Sequence, residues 1–480
     1  MSYEYRQRIG GKWRDASNGG TWDVINPATE DVFRTVPFGD AEDCRAAIAA
    51  ATEAFPSWSQ KTAYDRAALL KRAAEMMRQR ADDLAQTTVC ESGKPLAQAK
   101  GEWGVAADLF EWFAEEAKRA YGRWVPPRNA AKRQLVIKQP VGVVGVITAW
   151  NFPAYNVARA GAAALAAGCT VVIRPSEYTP MTAMEMVNIL VEAGLEAGVV
   201  NLINGEPHTM GQEMLTIPAC AKIHFTGSRR VGKLLMDGAS RSLTRLSLEL
   251  GGNAPVLIFP DVDVERIVET AVTAKFRNSG QVCISPQRFF VHDNIAANFM
   301  ERATAIVSKL QVGSGLEPGT DVGPLINARQ RDHIEELVGA AKTSGAKITT
   351  GGKRPFARPR GYFFEPTVVT NLKDDAPLIQ SEIFGPVLPI IRFRDTDEAI
   401  ALANRTRYGL SAYVWTNDLR TAMRTAERLE FGMIGVNEWA PQSTEVPFAG
   451  WKESGIGRES GAEGLEEYLE TKLIAFGGIS

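Results

Sequence analysis

The chain has few cysteines and histidines, and neither residue type is clustered. Its five cysteines are odd in number, widely spaced and without a CxxC pair, and its four histidines are equally dispersed. Disulfide-bonded domains are dense in cysteine, and zinc sites use closely spaced Cys and His ligands. We therefore expect a protein of a reducing compartment, without disulfides and without a bound metal.

Long apolar runs and a strong net charge are also missing. The most apolar stretches, such as 161–173, are rich in Ala and Gly and are shorter than the ~20 residues that cross a bilayer. A net charge of −2 gives no reason to expect nucleic acid or an anionic membrane as a partner. The first residues, MSYEYRQRIGGKW, do not resemble a signal peptide. The expectation is a cytoplasmic protein that binds neither nucleic acid nor membrane.

What the chain does contain is a repeated alternation of strand and helix patterns. After Pro140, buried-strand runs such as 141–148 and 170–173 alternate with helix patterns such as 158–167, and a second series begins at residue 254. The alternation predicts βαβ units, and 480 residues are too many for one ordinary core. The expected fold class is therefore α/β, with two doubly wound parallel-sheet domains.

The stretch 275–288, KFRNSGQVCISPQR, contains the cysteine with the most unusual setting, Cys283. The surrounding Gly, Ser and Asn residues predict a turn, and Arg277 and Arg288 bring positive charge close to it in sequence. Nearby cations favour the thiolate, which is the reactive form, so Cys283 is a candidate nucleophile. The alternative is a buried structural thiol.

Two strand-to-helix junctions have features of nucleotide binding. Residues 225–228 end a strand with a glycine turn that leads into a helix, where backbone N–H groups suit a phosphate. Glu177 follows the strand 170–173, where a carboxylate can accept hydrogen bonds from a ribose and repel a 2′-phosphate. An ordinary turn and an acid favoured by the helix dipole are the respective alternatives.

Glu249 and Asn151 complete the candidates for chemistry. Glu249 stands between two leucines and before two glycines, so desolvation is expected to raise its pKa and make it a general base. A solvent-facing glutamate on an edge strand is the alternative. Asn151 follows a buried strand and supplies an amide that suits an oxyanion.

Five motifs together resemble one family. WNFP at 150–153, FTGS at 225–228, LELGG at 248–252, GQVC at 280–283 and EIFGP at 382–386 are similar to the signature motifs of NAD(P)-dependent aldehyde dehydrogenases, in the same order. The resemblance runs nearly end to end. The C-terminal part is most similar to succinate-semialdehyde dehydrogenases, and GQVCISP is similar to 2-oxoglutarate semialdehyde dehydrogenases. The implied fold is aldehyde dehydrogenase-like, with a small β oligomerisation arm beside the two sheet domains.

The resemblance implies a role for each chemical candidate. Cys283 would attack the aldehyde to give a thiohemiacetal, whose oxyanion is held by Asn151 and the Cys283 N–H. Hydride transfer to the nicotinamide would leave a thioester, and Glu249 would activate the water that hydrolyses it. Relatives that transfer the acyl group to CoA generally lack this glutamate, so Glu249 speaks against that alternative. The three residues together also speak against a non-enzymatic protein of the same fold.

The resemblance also implies a cofactor site. Glu177 favours NAD by repelling a 2′-phosphate, whereas Arg174 stands where the family usually has lysine and leaves NADP possible. The implied cofactor-binding residues are Thr148, Trp150, Arg174, Ser176, Glu177, Gly205, Gly227, Ser228, Glu382 and Phe384.

Three further residues match positions at which the succinate-semialdehyde branch binds the distal carboxylate of its substrate. These are Arg159, Arg277 and Ser443. Two guanidiniums and a hydroxyl suit a carboxylate, although a structural ion pair is the alternative for either arginine alone. Succinate semialdehyde is the expected substrate. Glutarate semialdehyde, 2-oxoglutarate semialdehyde and broad specificity for aldehydes stay open.

By resemblance, the chain divides into domains with different tasks. An NAD-binding domain would comprise 1–121 and 141–252, and a catalytic domain 253–453. An oligomerisation arm and C-terminal segment would comprise 122–140 and 454–480. Because edge strands of this kind pair between subunits, we expect a homodimer or a homotetramer.

Overall fold

The computed structural model describes residues 5–373 and 375–478. The α-helices are α1 (Ala41–Gln60), α2 (Ala63–Gln79), α3 (Ala81–Ser92), α4 (Leu96–Ala117), α5 (Pro153–Ala167), α6 (Pro180–Glu192), α7 (Pro207–Thr216), α8 (Arg229–Ala239), α9 (Val264–Phe276), α10 (Asp293–Val307), α11 (Ala328–Thr343), α12 (Pro377–Gln380), α13 (Thr396–Asn404), α14 (Leu419–Arg428) and α15 (Gly461–Glu466). The strands are β1 (Gln7–Ile9), β2 (Lys12–Arg14), β3 (Thr21–Ile25), β4 (Val32–Pro37), β5 (Arg123–Val125), β6 (Lys132–Pro140), β7 (Val143–Ile147), β8 (Thr170–Arg174), β9 (Val200–Leu202), β10 (Cys220–Thr226), β11 (Arg245–Glu249), β12 (Ala254–Ile258), β13 (Pro286–His292), β14 (Lys347–Thr350), β15 (Thr367–Thr370), β16 (Val387–Phe393), β17 (Tyr408–Gly409), β18 (Ser411–Trp415), β19 (Met433–Val436), β20 (Trp451–Lys452), β21 (Gly455–Ile456) and β22 (Leu469–Gly477).

The first large sheet has the strand order β2-β1-β9-β8-β7-β10-β11-β21. Its central strands β9, β8, β7, β10 and β11 are parallel, and the strands beyond them are antiparallel. The pairs Ile147–Arg174 and Thr226–Glu249 bring the carboxyl ends of four strands level with one another. Open α/β sheets bind ligands at this edge.

The second large sheet has the order β14-β15-β16-β13-β12-β18-β19. All of its pairings are parallel except that of β14 with β15. Its strand β13 begins shortly after Cys283, so this sheet carries the cysteine loop, whereas the first sheet carries Glu249 at the end of β11. The predicted pair of doubly wound parallel sheets is confirmed.

Helix α5 is packed in the hydrophobic core beside the first sheet. Every residue of it except Tyr155 is buried. Its many alanines let neighbouring helices approach closely, and it begins at Pro153 and ends at Gly168, which has a φ of 98°. The turn before this helix contains Asn151, and Arg159 lies within it, so both residues are held by a fully packed element.

A third, three-stranded sheet is formed by β22, β6 and β5. Its pairings are antiparallel, and it leaves Trp124, Leu473 and Phe476 exposed. These strands belong to the predicted oligomerisation arm and C-terminal segment. Residues 455–456 of that segment instead extend the first sheet as β21. The domain bounds themselves stay a prediction.

Two kinds of feature are absent from the described residues. No helix there is both long and apolar enough to cross a membrane. No group of three or more His, Cys, Asp or Glu side chains in the same residues is arranged to hold a metal ion.

Candidate active site

Cys283 follows a short 3₁₀ turn, Arg277–Gly280, with an unusual backbone. Asn278, Ser279 and Gly280 have φ angles of 48°, 57° and 74°, in the left-handed region. A side chain at position 280 is excluded on a second ground, because its Cβ would lie 2.1 Å from the carbonyl oxygen of Gly385. The glycine of the GQVC motif therefore lets this turn pack directly on the EIFGP loop.

The two glycines after Glu249 are explained by close contacts. A Cβ on Gly251 would lie 2.1 Å from Glu382 Oε2, and a Cβ on Gly252 would lie 2.3 Å from the Cys283 carbonyl oxygen. The Gly252 N–H donates to Glu382 Oε1 at 3.0 Å. Burial raises the pKa of Glu382 to about 7. The LELGG motif thus brings Glu249, Glu382 and Cys283 close together, although they are far apart in the sequence.

Cys283 and Glu249 are adjacent buried groups, and each affects the pKa of the other. Burial, followed by the charge of Glu249, raises the pKa of the Cys283 thiol well above its ordinary value. Burial raises the pKa of Glu249 to about 8, against the opposing charge of Arg159. The resting thiol is therefore protonated at neutral pH, and a base is needed to form the thiolate.

The prediction that Arg277 and Arg288 lower the pKa of the thiol is wrong. The buried Arg288 guanidinium donates to three backbone carbonyl oxygens of its own domain. Arg277 stacks over the Phe152 ring, 5.4 Å from its centroid. The cation that favours a Cys283 thiolate is Arg159, which is remote in sequence and adjacent only in the folded chain.

Asn151 is fixed by hydrogen bonds from both its side chain and its backbone. Its Nδ2 donates to Gln281 O at 3.2 Å, and its Oδ1 accepts from Asn156 Nδ2 at 3.3 Å. Its backbone oxygen accepts from Lys94 Nζ at 2.8 Å and from Asn278 Nδ2 at 2.9 Å. An amide nitrogen carries two N–H groups, so one fixes the rotamer and the other stays available for an oxyanion.

A buried ion pair between Lys94 and Glu102 supports this turn, and the sequence analysis missed it. Lys94 Nζ contacts Glu102 Oε2, and neither side chain is more than 1% exposed. Glu102 Oε1 accepts from the N–H groups of Ala154 and Tyr155, at 2.8 and 3.2 Å. The pair therefore provides an acceptor for N–H groups in the first turn of α5, which have no partner within the helix. Neither residue belongs to a motif, so no sequence signal pointed to it.

Arg159 lies in a buried cluster of charges. Its Nη1 is 2.8 Å from Glu459 Oε2, and its Nη2 is 3.9 Å from Glu249 Oε2. Its guanidinium lies over the Phe448 ring, 4.2 Å from the centroid. Arg159 is thus engaged in a structural ion pair, which was the alternative to substrate binding. Sequence analysis missed Glu459, since the arginine and its partner are far apart in the sequence.

Two cavities meet at Cys283. One, of about 290 Å³, is lined by half of the predicted cofactor residues, and the other, of about 40 Å³, by both predicted substrate arginines. Asn151, Glu249 and Cys283 line both. The predicted cofactor residues in the larger cavity are Trp150, Gly227, Ser228, Glu382 and Phe384.

A third cavity, of about 500 Å³, continues from the small one toward the surface. Phe152, Tyr155 and Arg277 line both, and Ser443 lines only the outer one. Ser443 is exposed and lies close to Glu445. The structure thus places Arg277 in one cavity with Arg159 and in another with Ser443. It does not bring Arg159 and Ser443 into the same cavity.

The other five predicted cofactor residues lie at the ends of β7, β8 and β9, outside the lining of the larger cavity. Arg174 Nη2 donates to Glu177 Oε2 and to the Gly205 carbonyl oxygen, both at 2.8 Å. The Thr148 N–H donates to the Arg174 carbonyl oxygen at 3.1 Å, and Ser176 is buried beside them. Arg174 and Glu177 are therefore an ion pair rather than two independent charges.

The edge of the first sheet fits a nucleotide cofactor. The larger cavity lies beyond the ends of β7, β10 and β11, at the N-terminus of α8, where Ser228 is the N-cap. The buried hydroxyls of Thr148 and Thr226 have no hydrogen-bond partner within the described part of the chain, so they are free to bind a polar ligand. Sequence analysis missed the wall that α11 contributes through Arg329 and His333, because that helix shows only an amphipathic pattern.

Comparison with known proteins agrees with this geometry. Residues 13–474 match the model of the Aldehyde dehydrogenase family. The chain belongs to this family. The family, the fold and the general activity predicted from the five motifs are therefore confirmed: the protein is an NAD(P)-dependent enzyme that oxidises an aldehyde to the acid.

Relatives of this aldehyde dehydrogenase match it along almost the whole chain. It is 43% identical over 476 residues to the succinate-semialdehyde dehydrogenase [NADP(+)] GabD of Escherichia coli (strain K12), covering 98% of each chain. It is 43% identical over 472 residues to a glutarate-semialdehyde dehydrogenase of Pseudomonas putida, again covering 98% of each.

Solved structures are equally similar. An E. coli NADP dependent enzyme superimposes with a TM-score of 0.97 at 42% identity, covering 99% of this chain and 98% of that one. A betaine aldehyde dehydrogenase from Staphylococcus aureus, in complex with NAD+, superimposes with a TM-score of 0.98 at 37% identity. That match covers 100% of this chain and 96% of the other.

Proposed function

We propose that this aldehyde dehydrogenase oxidises an aldehyde with a distal carboxylate, and that succinate semialdehyde is its substrate. The observation that carries the proposal is Arg277, which lines both the cavity at Cys283 and the outer cavity toward Ser443. No acid of the described residues pairs with Arg277. A guanidinium that lines a cavity without an ion-pair partner favours a substrate that supplies a carboxylate. Relatives named for succinate semialdehyde and glutarate semialdehyde support the same class.

In the first half of the proposed reaction, Glu249 accepts the proton of the adjacent Cys283 thiol. Sγ then adds to the carbonyl carbon of the aldehyde. The carbonyl π electrons move to oxygen, and this oxyanion is held by Asn151 Nδ2–H and the Cys283 N–H. NAD(P), when bound in the larger cavity, supplies the hydride acceptor, and we assign Trp150 and Phe384 to its walls.

In the second half, Glu249 acts again on a thioester of Cys283. After releasing its first proton to solvent, it accepts a proton from water, whose oxygen attacks the acyl carbon. The C–S bond breaks, the acid leaves and Sγ takes back a proton. Its pKa of about 8 means that only a minority of Glu249 is ionised at neutral pH, so the water step is expected to accelerate as pH rises.

We infer NAD as the preferred cofactor and NADP as an accepted one. The negative charge of Glu177 opposes a 2′-phosphate, and its ion pair with Arg174 at 2.8 Å weakens the attraction that this arginine offers. Named relatives occur with either cofactor. The preference therefore depends on the balance of two paired charges.

We further propose a cytoplasmic homodimer or homotetramer that assembles through the β5-β6-β22 sheet. By their register, the exposed Trp124 and Phe476 lie on one face of this sheet and the exposed Leu473 on the other, all on its two edge strands, and edge strands of this kind pair between subunits. Light scattering at micromolar concentration tests the assembly, and a monomer would contradict it.

A panel of aldehydes tests the substrate. Charge-assisted hydrogen bonds contribute roughly 1.5–3 kcal/mol each, so succinate semialdehyde should exceed butyraldehyde by roughly ten- to a thousandfold in kcat/KM. The values of kcat/KM for glutarate semialdehyde and 2-oxoglutarate semialdehyde in the same panel show which of the candidate substrates the enzyme prefers. Equal rates with butyraldehyde would mean broad specificity, and acyl-CoA formation on adding CoA would mean a different acyl acceptor.

A further inference from the structure

The backbone carbonyl oxygen of Asn151 accepts two hydrogen bonds from separate parts of the chain. Lys94 Nζ, from the loop between α3 and α4, donates at 2.8 Å, and Asn278 Nδ2, from the cysteine turn, donates at 2.9 Å. A carbonyl oxygen has two lone pairs, so both are used here. The two donors therefore fix the backbone of Asn151 with respect to the turn that leads to Cys283.

Lys94 is itself held at both ends. At its backbone, a Cβ on Gly315 would lie 2.1 Å from the Lys94 carbonyl oxygen, and the Leu96 N–H donates to Gly315 O at 2.9 Å. At its tip, Nζ contacts Glu102 Oε2 and lies 4.3 Å from the centroid of the Phe152 ring. A free lysine side chain is flexible, whereas this one is fully buried and confined to one position. Its Nζ can therefore hold another group in place.

The loop between α10 and α11, which contains Gly315, also holds the cysteine turn. Ser279 Oγ donates to the Gly323 carbonyl oxygen at 2.8 Å. A Cβ on Gly323 would lie 2.2 Å from the carbonyl oxygen of Gly93, the residue before Lys94. The lysine and the cysteine turn thus have one common support, so the position of Lys94 Nζ relative to Cys283 is fixed.

We propose that Lys94 is a positioning residue for the oxyanion, which acts through the Asn151 carbonyl group to set where Asn151 Nδ2 lies relative to Cys283 Sγ. The inference rests on the proposed function, in which Asn151 Nδ2–H helps to hold the oxyanion. Without Lys94, the Asn151 carbonyl group keeps one of its two donors, and the amide can shift. A shift of about 1 Å in a catalytic group costs on the order of a hundredfold in rate. Because every aldehyde forms the same oxyanion, Lys94 affects the rate with all aldehydes rather than the choice among them.

The experiment compares two variants that differ only at Lys94. Glu102→Gln keeps an oxygen for the N–H groups of Ala154 and Tyr155, and its Lys94 keeps an N–H for Asn151 whether the amine is charged or neutral. Lys94→Met combined with Glu102→Gln removes the donor without leaving a buried carboxylate unpaired. The rate of NADH formation in the first turnover, measured by stopped flow at saturating NAD and aldehyde, should stay within about threefold in Glu102→Gln and fall roughly ten- to a hundredfold in the double variant. An equal loss in both variants, or no loss in either, overturns the role of Lys94.

The same comparison on an Asn151→Ala background shows whether Lys94 acts through Asn151. This background lacks the amide, so removing Lys94 there should lower the rate by less than about threefold. A further ten- to a hundredfold loss would mean that Lys94 stabilises the site in general, which overturns the inference. If Asn151→Ala alone leaves the first turnover unchanged, the proposed oxyanion role fails and the inference fails with it.

Two further measurements separate positioning from general disorder of the site. The Kd for NAD, from fluorescence titration, and the quotient of kcat/KM for succinate semialdehyde and butyraldehyde should both be unchanged in the double variant. A change in either that accompanies the loss of rate overturns the inference. Should the double variant not fold, Lys94→Gln combined with Glu102→Gln takes its place, because the shorter side chain does not reach the Asn151 carbonyl oxygen.

Discussion

The two sides of Cys283 are built in different ways. On the cofactor side, the wall comes from strand ends and motif glycines, as in the contacts of Gly251 and Gly252 with Glu382 and Cys283. On the substrate side, the wall comes from charges on elements far apart in sequence, such as Arg159 of α5 with Glu459 beyond β21. The comparison indicates that short motifs encode the wall on the cofactor side, whereas the wall on the proposed substrate side depends on long-range ion pairs.

The largest expected effect comes from removing the residue that both sides share. Cys283→Ala should lower turnover by roughly 10⁴-fold or more, since among the described residues that line both cavities no other carries a thiol or a hydroxyl. The variant should still bind NAD, as measured by fluorescence titration, because the residues that line the cofactor cavity are unchanged. Cys90→Ala, at a half-buried cysteine outside both cavities, serves as the control and should keep full activity. Residual turnover near that of the control would exclude Cys283 as nucleophile.

The second effect separates the two roles of Glu249. Glu249→Gln should slow both the NADH burst and steady-state turnover at neutral pH, by roughly 10²-fold or more, because it removes the base for the thiol and for water. Raising the pH should restore the burst, since the thiol then ionises to solvent without the opposing Glu249 charge. Steady-state turnover should not recover.

The unmutated enzyme provides the reference for that variant. Glu249 acts as a base only when ionised, and its pKa is raised to about 8 by burial. Turnover limited by thioester hydrolysis should therefore increase with pH up to and through about 8, then level off. Stopped-flow measurement of burst and steady state across this range checks both curves. An identical pH response of the burst and the steady state in Glu249→Gln would contradict two separate roles.

The sequence predicted the contacts on the cofactor side more completely than those on the proposed substrate side, and the reason is physical. Glycines that permit a left-handed turn or a close approach, such as Gly280, have to stand beside the group they serve. The partner of a charged side chain can lie anywhere in the sequence, because only folding brings the two charges together. Thus the desolvation of Glu249 was expected from its two leucines, whereas Lys94 and Glu459 left no local sign in the sequence. The parallel sheets were predicted for the same reason, since alternation is a local pattern.

The third effect tests the two substrate arginines against each other. Arg277→Ala should reduce the advantage of succinate semialdehyde over butyraldehyde by roughly ten- to a hundredfold, with little change for butyraldehyde. Stability should change little, because Arg277 has no acid partner in the described residues. Arg277→Lys is the control and should lose less.

Arg159→Ala, unlike Arg277→Ala, should lower the stability of the protein as well as its selectivity. It leaves Glu459 buried without its arginine, and breaking a buried pair costs about 3–5 kcal/mol. A clear drop in Tm is therefore expected together with the loss of selectivity. Measuring Tm and the two kcat/KM values for both variants separates the roles. If Arg277→Ala lost stability and Arg159→Ala did not, the assignment of free and paired arginines would be reversed.

The smallest expected effect concerns the cofactor side, at the ion pair between Arg174 and Glu177. Glu177→Gln should shift the ratio of kcat/KM for NAD and NADP toward NADP by roughly tenfold, because it removes a repulsive charge and releases a buried guanidinium. Arg174→Lys keeps the charge but not the planar fork, so it should shift the ratio only slightly. The two cofactors are compared at matched concentrations with saturating aldehyde. A ratio that is unchanged in Glu177→Gln would show that this pair does not face the 2′ position, and that the preference is decided within the larger cavity.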